Sequence, residues 1–137
     1  MQKEIIKNLK SFLSKDKDIV FSYVFGSAAG KGFNSRSDAD VAIYLDGNRI
    51  PDFFKKRIDM IEALEGILKM KVDVVVLNET RSTFFKFVIV KEGRLISERD
   101  HKKRVEFEFG AMREYYDFKP FLEEYNKAYI ERSLAGI

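Results

Sequence analysis

The sequence from Phe25 to Asp40 reads Phe-Gly-Ser-Ala-Ala-Gly-Lys-Gly-Phe-Asn-Ser-Arg-Ser-Asp-Ala-Asp. It follows a β-branched and aromatic run, residues 19–25, which predicts a buried strand ending at Gly26. Residues 26–37 are rich in glycine and serine and predict a loop. A second strand is predicted from Asp38 to Leu45. The segment therefore predicts two strands joined by a Gly/Ser loop, with two acidic residues where the second strand begins.

The two acidic residues and the loop before them predict a site for a metal ion and phosphate groups. Side chains alternate between the faces of a strand, so Asp38 and Asp40 are expected on the same face. Two adjacent carboxylates repel each other unless a cation lies between them, and oxygen ligands of this kind suit Mg²⁺. Backbone N–H groups of the loop can bind phosphate, Gly26 allows close approach, and Ser27 can donate its hydroxyl.

A third acidic residue, Asp73, lies in the apolar run from Val72 to Leu77, which predicts another strand. A carboxylate in such a strand is unfavourable without a partner. If this strand neighbours that of Asp38 and Asp40, three carboxylates converge, as in sites that hold two metal ions about 3.5–4 Å apart. The alternative is that Asp73 faces solvent.

The rest of the chain predicts an α/β (α+β) fold in one domain, residues 1–137. Its core covers about 1–98, and a helical tail covers about 100–134. Apolar periodicity predicts helices over 2–15, from Pro51 to about Lys69, and over 81–91, a short edge strand over 94–97, and helical structure from Asp100 onward. Pro120 is expected to divide the tail into two helices.

Composition excludes several classes of protein. The 137 residues contain no cysteine and one histidine, which excludes disulfides, thiolate nucleophiles and Cys- or His-rich zinc sites. The net charge of +3 is too small to indicate nucleic-acid binding. No apolar run reaches the length of a membrane span, and the N-terminus does not resemble a signal peptide, so we expect a soluble cytoplasmic protein.

The spacing Gly-Ser-(ten residues)-Asp-x-Asp resembles the signature of the polymerase-beta-like nucleotidyltransferase superfamily. The short chain is similar to its minimal nucleotidyltransferases, the MntA-type antitoxins that are encoded beside HEPN toxins. This resemblance implies a small mixed sheet flanked by helices, two Mg²⁺ ions, and ATP as substrate. It assigns metal binding and catalysis to Asp38, Asp40 and Asp73, and the predicted nucleotide-binding residues are Gly26, Ser27, Lys31 and Ser37. Members of the family often have arginine at the position of Gly30, and Lys31 is predicted to supply that cation here.

The resemblance further implies an antitoxin that moves AMP from ATP to a tyrosine hydroxyl of a HEPN toxin, in a hetero-oligomer or homo-oligomer. One alternative is a binding module that neutralises its partner by contact, which Gly30 favours. A small-molecule nucleotidyltransferase ranks last, because the chain is short for a separate substrate domain. The aromatic residues of the tail are expected to pack mostly on the sheet, with part of them, and the 28–36 loop, contacting the partner.

Overall fold

The computed structural model describes residues 2–26 and 38–135. Its helices and strands follow the predicted order along the chain. In that order they are α1 (Gln2–Ser14), β1 (Ile19–Phe25), β2 (Ala39–Leu45), α2 (Phe53–Leu68), β3 (Val72–Val76), a 3-10 turn (Leu77–Glu79), α3 (Thr83–Glu92), β4 (Arg94–Glu98) and α4 (His101–Ala135).

The four strands form one mixed sheet in the order β3-β2-β1-β4. Strand β1 pairs antiparallel with both β2 and β4, whereas β2 and β3 run parallel. The crossover that a parallel pair requires is supplied by α2. This arrangement confirms the predicted mixed sheet with flanking helices, and it also confirms β4 as an edge strand.

Each face of the sheet has its own apolar core. On the first face, α1 and α2 pack on β-branched residues such as Val41, Ile43 and Val74, all fully buried. On the second face, α3 and α4 cover Phe21, Tyr23 and Ala42. Alternation of side chains along β2 explains this division, because Ala42 lies between Val41 and Ile43 in the sequence. The two cores together fix which side chains of each strand face which helices.

The predicted element boundaries need small corrections. Helix α2 begins after Asp52, whose carboxylate accepts a hydrogen bond of 3.0 Å from the Lys55 backbone N–H, so Pro51 precedes the helix instead of lying in its first turn. Strand β2 begins at Ala39, and Asp38 comes immediately before it. Strand β3 ends at Val76, because Leu77 starts the 3-10 turn.

The predicted division of the tail at Pro120 is wrong. Helix α4 runs through Pro120 as one helix of 35 residues. A proline inside a helix removes one backbone donor, and the affected carbonyl belongs to Tyr116, which is exposed and can be hydrated. No glycine or capping residue stands beside Pro120 to help end the helix.

The prediction that the tail aromatics pack mostly on the sheet is also wrong. Phe107 packs against Phe21 and Tyr44, and Tyr115 stacks on Phe87 of α3 at a centroid distance of 3.9 Å. The helix then extends beyond the sheet. The remaining tail aromatics are exposed, namely Phe109, Tyr116, Phe118, Phe121, Tyr125 and Tyr129. Over the described residues, no helix is both long and apolar enough to cross a membrane.

Candidate functional site

Strand pairing brings two of the predicted acidic residues together. Asp40 of β2 is opposite Phe25 of β1 on one side and opposite Asp73 of β3 on the other. Register partners in a parallel pair project to the same face, so the two carboxylates lie on neighbouring strands of that face. Asp40 and Ala42 share a face by alternation, so these acids lie on the side of the sheet that α3 and α4 partly cover.

The electrostatic environment of Asp40 is unfavourable for its charged form. Burial raises the pKa of the Asp40 carboxyl above its ordinary value of 3.8, and the charges of Asp73 and Asp38 raise it further. Asp38 is exposed just before β2, close enough for its charge to act on Asp40. The three acids thus form a local concentration of negative charge that a cation would relieve.

Gly26 provides the space in which the Asp40 carboxylate lies. Its backbone has φ +66°, in the left-handed region that favours glycine. A β-carbon on Gly26 would lie 2.6 Å from Oδ2 of Asp40, well inside van der Waals contact. The end of β1 therefore leaves room for the Asp40 carboxylate, and the role predicted for Gly26 in phosphate binding stays a prediction.

Asp73 has a partner that the sequence analysis did not identify. The Arg57 guanidinium on α2 donates from Nη2 to Oδ1 of Asp73 at 3.2 Å and from Nε to the Val74 carbonyl at 2.6 Å. Asp73 remains 58% exposed. An unpaired carboxylate in an apolar strand does indicate that a partner exists. Nothing in the helical pattern of α2 distinguishes Arg57 from Lys55 or Lys56 as that partner.

The strand register brings together two of the three predicted carboxylates, those of Asp40 and Asp73. Within residues 2–26 and 38–135, no three acidic or histidine side chains form a group that could hold a metal ion. The Asp73 carboxylate is turned to Arg57, and Asp38 stands before the strand instead of on it. The carboxylate oxygens nevertheless fit Mg²⁺ in chemistry and charge. The negative charges of Asp73 and Asp38 disfavour the charged form of Asp40, and a cation would offset them.

The predicted nucleotide-binding residues Ser27, Lys31 and Ser37 lie outside the described residues. The chain's histidine, His101, lies at the start of α4, where its Nδ1 is 2.6 Å from Oε1 of Glu98. Glu98 pairs with Phe21 in the sheet, whereas Asp40 pairs with Phe25 near the opposite end of β1. His101 therefore lies away from the acids.

Residues 7–102 match the protein family described as Polymerase beta, Nucleotidyltransferase. A candidate protein adenylyltransferase of Methanocaldococcus jannaschii is 36% identical over 85 residues, which span 61% of this chain and 83% of that protein.

Solved structures share the fold over nearly the whole chain. A chain of a toxin–antitoxin crystal structure with AMP-PNP has a TM-score of 0.67 at 20% identity, and the match covers 97% of this chain and 98% of that one. A chain of the complex between tri-AMPylated Shewanella oneidensis HEPN toxin and MNT antitoxin has a TM-score of 0.67 at 18% identity, covering 98% and 99%. At this identity the similarity establishes a common fold that includes the long C-terminal helix.

Two glycine substitutions should change stability in opposite directions. Gly26→Ala should lower the free energy of unfolding by about 1–2 kcal/mol, because alanine is strained at positive φ and its β-carbon displaces the Asp40 carboxylate. Gly66→Ala, the matched control, should raise it by up to about 1 kcal/mol, since Gly66 lies within α2 with open space around it. Urea denaturation measures both. Equal effects of the two substitutions would contradict the proposed contact at Gly26.

Asp40→Asn should stabilise the fold near neutral pH. Folding raises the pKa of Asp40, so the wild-type protein loses stability as the pH rises through that value and the carboxyl ionises. Asparagine stays neutral, and its advantage should shrink as the pH falls towards and below 3.8. Urea denaturation across this range measures the difference, with the exposed Asp59→Asn as control. A pH-independent difference would contradict the repulsion argument.

Proposed function

Because the chain belongs to the polymerase beta nucleotidyltransferase family, we propose that it transfers AMP from ATP to a hydroxyl group of a protein partner. We further propose that the reaction depends on Mg²⁺, that the acceptor is a tyrosine of a HEPN toxin, and that the chain acts as its antitoxin. The observation that supports a nucleotide site most directly is the pairing of Asp40 with Asp73, beside the glycine that ends β1.

In this proposal each acid has a role set by its position. Asp38 and Asp40 would hold one Mg²⁺ ion, and Asp73 together with them would hold a second. Bound Mg²⁺ neutralises phosphate charge and lowers the pKa of the acceptor hydroxyl. Gly26, with the loop residues Ser27, Lys31 and Ser37, contacts the phosphates. The register of β2 and β3 supports the roles of Asp40 and Asp73, and the other roles rest on the family resemblance.

The transfer itself is a substitution at phosphorus. The acceptor oxygen bonds to the α-phosphorus of ATP, the bond from that phosphorus to pyrophosphate breaks, and the hydroxyl proton passes to solvent. The chain's own contribution is to hold the reactants in line and to place fixed charges around them. This requires no histidine base, in keeping with the place of His101 at the far end of the sheet.

Relatives support a protein as the acceptor. The Methanocaldococcus jannaschii relative is named as a candidate protein adenylyltransferase, and the HEPN toxin in the Shewanella oneidensis complex is itself AMPylated. The chain has, in addition, exposed aromatic side chains on α4.

The aromatic stripe of α4 is made of Phe118, Phe121, Leu122, Tyr125 and Tyr129. With 3.6 residues per turn these five lie within an arc of about 100°. Phe121 is 69% exposed and Tyr125 is 62% exposed. Lys127 and Glu131 lie on the opposite side of the helix. An aromatic stripe with charged residues around it is typical of an interface with apolar anchors and a polar rim, and we propose that it contacts the toxin.

A second candidate function is a binding module that neutralises the toxin by contact alone. The ion pair between Arg57 and Asp73 favours it, because it engages the third carboxylate within the chain. Gly30, at the position where the family often has arginine, favours it as well.

Asp40→Asn should abolish AMP transfer. The chain is incubated with ATP, Mg²⁺ and a HEPN-type toxin, and the toxin is weighed by intact mass spectrometry. The wild-type chain should add one or more AMP units, and Asp40→Asn should add none, because the variant removes the carboxylate between the other two acids. Asp59→Asn, on the exposed side of α2, should retain transfer.

A stable complex without any mass increase would support the binding module and overturn the enzyme proposal. Modification of a small molecule, with no complex formed, would overturn the antitoxin proposal.

Serine substitutions on α4 should separate partner binding from nucleotide chemistry. Phe121→Ser with Tyr125→Ser should weaken toxin binding by at least roughly tenfold, the scale expected when interface anchors are lost. Lys127→Ser with Glu131→Ser has the same spacing on the opposite side and should leave binding within about twofold. Calorimetric titration measures affinity, and circular dichroism checks that α4 remains helical. Equal effects of the two pairs would place the interface elsewhere.

A further inference from the structure

Among the described residues, Arg57 is the one basic side chain that forms an ion pair with any of Asp38, Asp40 and Asp73. It reaches from α2 to β3, which is an edge strand of the sheet. Its two contacts differ in character. The bond from Nε to the Val74 carbonyl is short, at 2.6 Å, whereas Nη2 and Asp73 Oδ1 are 3.2 Å apart with both side chains at least one-third exposed.

We propose that Arg57 is a positioning residue that acts as an internal counter-cation for Asp73 and competes with the divalent ion for that carboxylate. The inference rests on the proposed function, because it assumes that Asp38, Asp40 and Asp73 are the metal ligands. In the cation-free chain Arg57 neutralises Asp73. When a divalent ion binds, Nη2 releases the carboxylate, which then turns towards Asp40.

The geometry allows this exchange without disturbing the fold. An arginine keeps its charge at all accessible pH values, so Arg57 is a permanent competitor for Asp73. The ion pair is exposed and uses a single hydrogen bond, and such pairs contribute little stability. The Nε bond to Val74 is independent of Asp73 and keeps the guanidinium at the sheet edge after release. Asp73 can therefore change partners by rotating its own side chain.

The exchange also accounts for the side-chain arrangement at the site. Strand register places Asp73 beside Asp40, yet its carboxylate is directed to Arg57 and no three-acid ligand group is formed among the described residues. The pairing with Arg57 thus gives Asp73 a partner within the chain, while its strand position remains beside Asp40.

The test is the affinity for Mn²⁺ alone, without nucleotide, in the full chain. Mn²⁺ serves as a spectroscopic probe for Mg²⁺, and electron paramagnetic resonance measures the free ion. Arg57→Gln should bind Mn²⁺ roughly threefold to tenfold more tightly than the wild-type chain, the scale for removing one positive charge a few ångströms from an exposed site. Lys55→Gln is the control, since it removes the same charge from an exposed position of α2.

Arg57→Lys keeps the proposal testable if Arg57→Gln is poorly folded, and a double-mutant comparison isolates the competition for Asp73. Arg57→Lys retains the charge and should leave Mn²⁺ affinity within about twofold of wild type. In an Asp73→Asn background, Arg57→Gln should change Mn²⁺ affinity much less, because the competition requires the carboxylate. Thermal unfolding with and without Mn²⁺ supplies a second measurement, and the Mn²⁺-induced rise in Tm should be larger in Arg57→Gln than in wild type.

Unchanged or weaker Mn²⁺ binding by Arg57→Gln would overturn the proposal, as would an equal gain in Lys55→Gln or in the Asp73→Asn background. AMP transfer to the toxin is measured separately. Tighter Mn²⁺ binding without AMP transfer would leave the role of Arg57 standing and reject the enzyme proposal. AMP transfer with no effect of Arg57→Gln on Mn²⁺ affinity would support the enzyme proposal and reject the role of Arg57.

Discussion

Strand β2 is hydrogen-bonded on both sides, and the register of these two pairings determines the site. Asp40 is opposite Phe25 in one pairing and opposite Asp73 in the other. A shift of one residue in either pairing would move these acids apart and would also turn buried valines of the strands towards the wrong helices. The apolar packing that α1 and α2 make with Val41, Ile43 and Val74 thereby keeps the acids in place. The same alternation that forms the core also positions the carboxylates.

Holding like charges together carries a free-energy penalty, which this structure limits at Asp73 and not at Asp40. Arg57 compensates Asp73 from outside the strand pair, and Gly26 leaves space around Asp40 without compensating its charge. Burial raises the pKa of Asp40 most, and the charges of Asp73 and Asp38 add to the rise. Residual repulsion of this kind is common in sites that bind cations, because a bound cation removes the repulsion between the carboxylates.

Much of the fold followed from local sequence patterns. The apolar runs of β1, β2 and β3 have the composition of strands, and the Gly/Ser segment between the first two separates them without ambiguity. The pairing of β3 with β2 was predicted as a condition for the site and is confirmed by the register. Roles for Asp38, Asp40 and Asp73 in metal binding stay predictions, and those for Ser27, Lys31 and Ser37 concern residues outside the described part.

Features that depend on distant packing were missed, for physical reasons. Arg57 is one of three consecutive basic residues on α2, and only the docking of that helix against β3 selects it as the partner of Asp73. The local effect of Pro120 predicts a break in the helix, yet water can hydrate the exposed carbonyl that loses its donor, and α4 continues. The aromatic content of α4 suggested packing on the sheet, but the helix is longer than the sheet it crosses.

The length of α4 bears on the protein acceptor that we propose. Its first half is fixed to the domain, through Phe107 on the sheet, Tyr115 on α3, and a hydrogen bond of 2.7 Å from the Tyr23 hydroxyl to Glu108. Because a continuous helix is rigid along its axis, anchoring its first half also sets the direction of its second half. A partner bound to the aromatic stripe is then held at a fixed place relative to Asp40, on the face of the sheet that α4 shares with the acids. In the proposed function this arrangement orients the whole partner towards the acids.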